Sequence, residues 1–359
     1  MENIKVRTKV ESIQLLRAVA AFAVVVHHLS ISFDTFNGAP TFISHSGLGA
    51  LGASGVDIFF VISGFIMFYT QNNYKHENKL TYSLKFLKRR FTRIYPLYWI
   101  WTTVLLGMWL LKMALNSHVY KLPYIIASYL LIPWPQPGAN LHPLLDQGWT
   151  LSFEMYFYLV FALSLLFSYN AIKIGLIVVS SLVGISLISY FFNAPEPVQY
   201  ITCNNLVIEF AFGGLIVYII NYANEKIYRS GIYLLVIGII ALLSTVFWGQ
   251  FVEYRVIKYG IPAFAIVLGI VFCEKYRPFK ETAVYKFVHF LGDASYSIYL
   301  THGFFIMVFG AMLKKGFFKH VPGDLLIIVG SILVTVICSL SHIAIERPLI
   351  KRQASVKAI

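Results

Sequence analysis

An all-α fold threaded repeatedly through a membrane is predicted by three observations. The 359-residue chain is 58% hydrophobic and 13% charged, and its mean hydropathy is +0.71, well outside the range of soluble globular chains. Its apolar runs recur at about twenty residues, the length that crosses a hydrocarbon core. The links between most of these runs are short and polar, so residues 1–359 read as one transmembrane domain.

About ten spans are expected, near 12–32, 55–71, 95–115, 148–168, 171–192, 201–221, 230–248, 256–273, 290–313 and 323–345. Lys5, Arg7 and Lys9 before the first run resemble the start of a signal peptide, but the apolar core is too long for one and contains Arg17. It reads as a retained first helix. If the N-terminus is cytoplasmic, inner links and helix ends hold 21 of the 29 Lys and Arg, which places both termini in the cytoplasm of a plasma (inner) membrane protein. Lys314, Lys315 and Lys319 fall on the outer side and fit this pattern poorly. The net charge of +13 is therefore a matter of topology and of contact with lipid; nucleic acid is not expected as a partner. Cys203, Cys273 and Cys338 all lie within apolar runs, in no disulfide or metal-ligand spacing, and no metal is expected.

Two outer connections are too long to be simple links. Residues 33–54 are rich in Gly and Ser and lack Lys and Arg. Residues 116–147 enclose the apolar run Tyr124–Ile132, which is too short to span and reads as interfacial or re-entrant. Both are placed to shape an entrance for an acceptor.

Ionisable residues inside spans cost roughly 2.5–3.5 kcal/mol each on insertion scales, so they mark sites. In the first span Arg17 and His28 are eleven positions apart, which puts them on one helix face, roughly three turns and 16 Å from each other. Asp57 at the head of the second span and Glu154 two turns into the fourth fall in the same half of the membrane as His28. A carboxylate beside an imidazole orients it and supports its protonated form, as a general base requires. The alternative is that one carboxylate pairs with Arg17 or His28 to hold helices together, or that His28, like His27, only packs.

Before the third span, KFLKRRFTRIYPLYW places Arg90 and Arg93 on one face, a grip for phosphates or simply a contact with anionic lipid. The ninth span, LGDASYSIYLTHGFF, carries Asp293, Ser295, Tyr296, Ser297, Tyr299, Thr301 and His302 on more than one face. Interhelical hydrogen bonds account for most of its hydroxyls; Asp293 and His302 are harder to explain that way. Trp149, Tyr156 and Tyr158 read as interface or packing aromatics. In the tenth span Ser341 and His342 precede Glu346-Arg347, expected to be a structural pair, and Pro348, expected to end the helix. No phosphate-binding loop, zinc-type cluster or nucleophile elbow is present.

Arg17 followed by His28, GVDIFFVISGF, RRFTRIYPLYW, WTLSFEMYFYL, ASYSIYLTH and the late IERP together resemble the acyltransferase 3 family of integral membrane acyltransferases, in the family's order and over nearly the whole chain. The resemblance implies a ten-helix bundle that takes an acyl group, usually acetyl, from coenzyme A on the cytoplasmic side. The acceptor it implies is a sugar hydroxyl of an envelope polysaccharide or a lipid-linked glycan. Arg17 and His28 match the family's Arg-His motif, and Arg90 and Arg93 its second arginine motif. The chain length leaves no room for the extra extracytoplasmic domain some members carry, so this one is expected to act alone or with a separate protein. The expected site comprises His28, Asp57 and Glu154 for catalysis and Arg17, Arg90 and Arg93 for acetyl-coenzyme A, with Ser295, Tyr296 and His302 as further candidates. A proton-coupled transporter of a glycan or small anion is the competing reading of the intramembrane charges, and a scaffold for polysaccharide assembly a third.

Overall fold

The computed structural model describes residues 10–37, 41–71, 78–136, 140–248, 254–280 and 282–356; Lys5, Arg7, Lys9 and short parts of both long outer connections lie outside them. The described residues contain no strand. Their main helices are α1 (Glu11–Asn37), α2 (Ser54–Thr70), α3 (Lys79–Leu110), α4 (Leu122–Tyr129), α5 (Trp149–Leu165), α6 (Ala171–Phe191), α7 (Leu206–Tyr222), α8 (Gly231–Ser244), α9 (Ile261–Tyr276), α10 (Ala283–Lys314), α11 (Gly323–Ser341) and α12 (Arg347–Val356). Among the described residues, nine segments are long and apolar enough to cross a membrane.

The expected third span, 95–115, is the apolar half of α3, a 32-residue helix that begins far earlier and ends at Leu110. Its basic half stays helical because one face is apolar and docks on α5. Tyr82, Ser83 and Phe86 are buried there. Ser83 Oγ donates to the Ala162 carbonyl at 2.7 Å, and the Phe86 ring packs 5.2 Å from that of Phe161.

Pro348 does not end the last helix. A π turn, His342–Glu346, joins α11 to α12, and the Arg347 N–H reaches back to the His342 carbonyl. The wider turn absorbs the bond that a proline cannot make and the crowding its ring would cause. The same device recurs ahead of α9, where the π turn Val256–Gly260 precedes Pro262.

The segment Leu48–Thr70 is 72% buried inside the bundle, whereas Ala171–Phe191 and Glu225–Phe247 are each only 17% buried. The second span is thus central, and α6 and α8 are peripheral, with apolar faces suited to lipid. The most extensive helix pairing is between α1 and α10. They run parallel, since Gly292 meets Gln14 and Gly310 meets Phe36. Lipid tails give no hydrophobic drive to helix association, so close packing of small residues must supply it. A Cβ at Gly292 would lie 2.0 Å from the Gln14 carbonyl oxygen, and Ala21 and Ala294 pack in one buried cluster of this seam. Gly64 and Gly213 bring α2 and α7 together in the same way.

The apolar run expected to be interfacial or re-entrant forms α4, and α3 holds it in place. The C-terminal carbonyls of a short helix have no intrahelical partners and cannot be left bare in an apolar setting. Tyr98 donates to the Ser128 carbonyl at 2.7 Å, Trp99 to Tyr129 at 2.9 Å and Tyr95 to Leu130 at 3.0 Å. Three rings from one face of α3 thereby satisfy three successive carbonyls at the C-terminal end of α4.

Gly292→Val is expected to force α1 and α10 apart and to lower stability by about 1–3 kcal/mol or more. The thermal midpoint of the detergent-solubilised protein reports this; a midpoint equal to that of the wild type would show that the seam is loosely packed.

Candidate functional site

A cleft between α1, α2, α3, α5 and α10 collects most of the expected site. Arg17, Ser63, Arg90, Arg93, Glu154, Tyr158, Ser295, Tyr296 and Tyr299 all line it. Arg17 is buried and donates to Gln14 Oε1 on its own helix, at 3.4 Å. The Arg90 guanidinium lies over the rings of Phe86 and Tyr158, at 5.3 and 5.5 Å, and its Nε is buried without a partner. Among the described residues no carboxylate comes within ion-pair distance of Arg17, Arg90 or Arg93. Arg17 is buried, Arg90 half-buried and Arg93 exposed, and all three face one cleft without an ion-pair partner. Such a cleft suits an anion that brings several acceptor oxygens.

Glu154 sits among these arginines and not beside His28. Its Oε1 accepts from Ser63 Oγ at 2.9 Å and from the Tyr158 hydroxyl. Tyr158, expected only to pack, is therefore part of the cleft. Ser295 Oγ is fully buried without a partner, and Tyr296 donates to the Ile94 carbonyl at 2.8 Å, which ties α10 to α3.

His28 faces His302. Their ring centroids are 5.0 Å apart, and each Nδ1 meets the carbonyl four residues earlier, Val24 at 2.9 Å and Ile298 at 3.2 Å. A carbonyl can only accept, so each Nδ1 carries a proton, and in the neutral ring Nε2 is the acceptor. His302 Nε2 is buried and unpartnered. No carboxylate hydrogen-bonds to His28 among the described residues, so the expected carboxylate–imidazole pairing is replaced by an imidazole pair. His27 is occupied by the Gly49 carbonyl at 2.9 Å. Tyr299 connects the two regions: it lines the cleft, its ring lies 5.9 Å from that of His302, and its hydroxyl is 2.9 Å from Thr150 Oγ1.

Asp57 points elsewhere. Both its oxygens are taken by Arg255, with Nε at 3.0 Å and Nη2 at 2.7 Å, and Nη2 also donates to the Ala53 carbonyl at 2.9 Å. The helix-holding reading of a carboxylate fits Asp57, with Arg255 as the partner in place of Arg17 or His28. Glu209 is fully buried beside this pair, and a Cβ on Gly260 would come within 2.8 Å of its Oε1. Glu209 was open to detection as a lone acid in the apolar run LVIEFAFGGLIV. Arg255 was not, because a basic residue in a connection has an ordinary topological explanation. Glu346 does not pair with Arg347 as expected; it accepts from Ser297 Oγ at 2.6 Å and meets His342 Nδ1 at 2.8 Å. Asp293 lies 3.4 Å from His289, whose other nitrogen is 2.8 Å from Glu11.

The fold and this cleft define a multi-pass membrane protein with ionisable groups gathered in its interior. The chain belongs to the acyltransferase 3 family, whose acyltransferase domain matches residues 10–343, and it is an acyltransferase. It is 30% identical over 306 residues to the exopolysaccharide production protein ExoZ of Rhizobium meliloti, covering 84% of this chain and 90% of that one. It is 24% identical over 328 residues to the peptidoglycan O-acetyltransferase OatA of Listeria monocytogenes, covering 82% of this chain and 49% of OatA. A 93-residue stretch is 36% identical to protein 2 of the picA locus of Rhizobium radiobacter, 26% of this chain and 39% of that protein. No solved structure matches.

If Asp57 serves to pair with Arg255, Asp57→Ala and Arg255→Met should each cost about 3–5 kcal/mol, and Asp57→Leu with Arg255→Met should recover most of it. Melting midpoints and acyl transfer of the three variants check this; a stable double variant without activity would instead place Asp57 in the chemistry.

Proposed function

We propose that the protein is an O-acyltransferase of the plasma membrane that moves an acyl group, acetyl, from acyl-coenzyme A to a sugar hydroxyl of a surface polysaccharide or lipid-linked glycan. The observation that carries this reading is the cleft with three unpaired arginines inside a helical bundle. Both termini are cytoplasmic in this reading, so the arginines face the compartment that holds the donor. Arg90 and Arg93 grip its phosphates and Arg17 meets it deeper in the cleft. Glu154 limits the charge of the cleft and offers Oε2 to the pantetheine amides, beside Ser295 and Tyr296. Roughly three helical turns separate Arg17 from His28, a gap that the extended pantetheine arm bridges past Tyr299.

At the imidazole pair, His28 Nε2 takes the proton of the acceptor hydroxyl. The alkoxide oxygen bonds to the thioester carbonyl carbon, the carbon–sulfur bond breaks, and the proton passes from His28 to the departing thiolate. His302 faces His28 and holds the second Nε2 at the same place. The names of two relatives, one tied to exopolysaccharide production and one to peptidoglycan O-acetylation, support a glycan as acceptor. Membership of an acyltransferase family favours group transfer over the transport reading.

The test is transfer of radiolabel from acetyl-coenzyme A to envelope glycan in membranes. His28→Ala should lower it by about a hundredfold or more at normal protein level. Arg90→Met with Arg93→Met should raise KM for acetyl-coenzyme A by about tenfold or more while changing kcat less. Wild-type transfer by His28→Ala would remove it as the base, and glycan handling that needs no coenzyme A would return the protein to transport.

A further inference from the structure

At the end of the bundle away from the arginines, the residues leading into α5 build a second constellation. Asp146, Gln147 and Gly148 form a single 3-10 turn just before Trp149. Asp146 is the exposed member: its side chain is 68% accessible, and its Oδ1 lies 2.7 Å from His142 Nδ1. Its second oxygen has no protein partner among the described residues. The His142 ring stacks on Trp149, at 5.6 Å and an interplanar angle of 12°, and tilts toward Tyr200 at 6.4 Å. A second group of rings stands nearby, where Tyr120 is nearly parallel to His118 at 5.7 Å and to Tyr124 at 5.3 Å.

The carboxylate is within electrostatic reach of the hydroxyls of Tyr120, Tyr124 and Tyr200. Burial first, and then Asp146, raise the Tyr120 phenol above its ordinary value, so it remains a neutral donor. The arrangement is held from beneath. Tyr124 donates to the His142 carbonyl at 3.0 Å, the Leu144 N–H donates to Ser128 Oγ at 3.0 Å, and Leu144 and Leu145 are buried. The constellation also adjoins the imidazole pair. Asp146 is within electrostatic reach of His302, and the Gln147 amide lies so close to Gly303 that a Cβ there would meet its Nε2 at 2.2 Å.

We propose that Asp146, backed by His142 on the Trp149 ring and within electrostatic reach of Tyr120, is a binding subsite for a pyranose unit of the acceptor glycan. This rests on the glycan acyltransferase reading given above. A pyranose presents apolar C–H faces and a rim of hydroxyls. Ring faces take the first at small entropic cost, and a carboxylate with free lone pairs accepts from two neighbouring hydroxyls of the second. No lysine or arginine belongs to the constellation, which argues against an anionic headgroup. A sugar seated there presents the next unit to Gln147 and Gly303, and so to His302 and His28.

The experiment uses the full-length protein in nanodiscs. The donor is radiolabelled acetyl-coenzyme A, and the acceptor probe is oligosaccharide cut from the alkali-deacylated surface polysaccharide of the source cell. Asp146→Asn and Tyr120→Leu should each raise KM for oligosaccharide by about tenfold, leaving kcat and KM for acetyl-coenzyme A within about twofold. Asp146→Glu should restore part of the loss. Quenching of tryptophan fluorescence by the same oligosaccharide reads binding without turnover and should weaken in parallel. Transfer with an unaltered oligosaccharide KM in both variants would overturn the subsite alone. Asp146-dependent binding by a wild type that transfers no label would keep the subsite and overturn the acyl-transfer reading. Neither binding nor transfer by the wild type would overturn both.

Discussion

The side-by-side packing of α1 and α10 is the constraint on which the rest depends. Both helices carry polar side chains at two depths, and the two sets coincide only because the helices run parallel and almost in contact. One depth brings Arg17 to Ser295 and Tyr296 in the cleft; the other brings His28 to His302. The seam has no hydrophobic drive, because hydrocarbon surrounds the bundle. It closes because Gly292 and the alanines leave nothing between the two backbones. Chemistry and packing therefore rest on the same few small residues.

Charge inside the bundle is handled in two opposite ways. Near the Gly- and Ser-rich connection, Arg255 gives Asp57 two hydrogen bonds and Ala53 a third, so this cation is satisfied within the protein. In the cleft, Arg17, Arg90 and Arg93 line the same space as Glu154 without an ion pair to it. An arginine in a membrane interior costs roughly 2.5–3.5 kcal/mol even on the lenient scales, and an isolated one much more in simulations. Only Arg17 is buried; Arg90 is half-buried and Arg93 exposed, so the cleft opens toward water, where unpaired cations are tolerable and an anionic ligand can arrive. The contrast separates a tie between helices from a place built to be filled.

The sequence made the helices legible because apolar runs of spanning length are a strong signal, and nearly every expected span falls on a helix. It was weaker where a helix changes character. The basic half of α3 read as a stretch ahead of the span, since its apolar face is narrow and its charges dominate the composition. Pro348 read as a terminator because a π turn leaves no mark in composition. Within the site, the Arg17–His28 spacing and the Arg90–Arg93 pair were readable from helical periodicity alone. Partner choice was not. Nothing in one dimension says that Asp57 meets Arg255, 198 positions away, or that Glu154 turns toward Tyr158 and not toward His28.

The two π turns carry a consequence for how this bundle tolerates changes in length. Each holds one residue more than the α-helical turn it stands in for, so everything beyond is rotated by about 100° from where a regular helix would aim it. Arg255 enters the bundle at the head of one such turn, and Glu346 meets Ser297 from the other. Losing one residue from 256–260 or 342–346 would leave the helices intact, with the same composition and hydropathy, yet pointed the wrong way. At these two places the chain keeps time by counting residues, and its chemistry is set by the count as much as by the identity of the side chains.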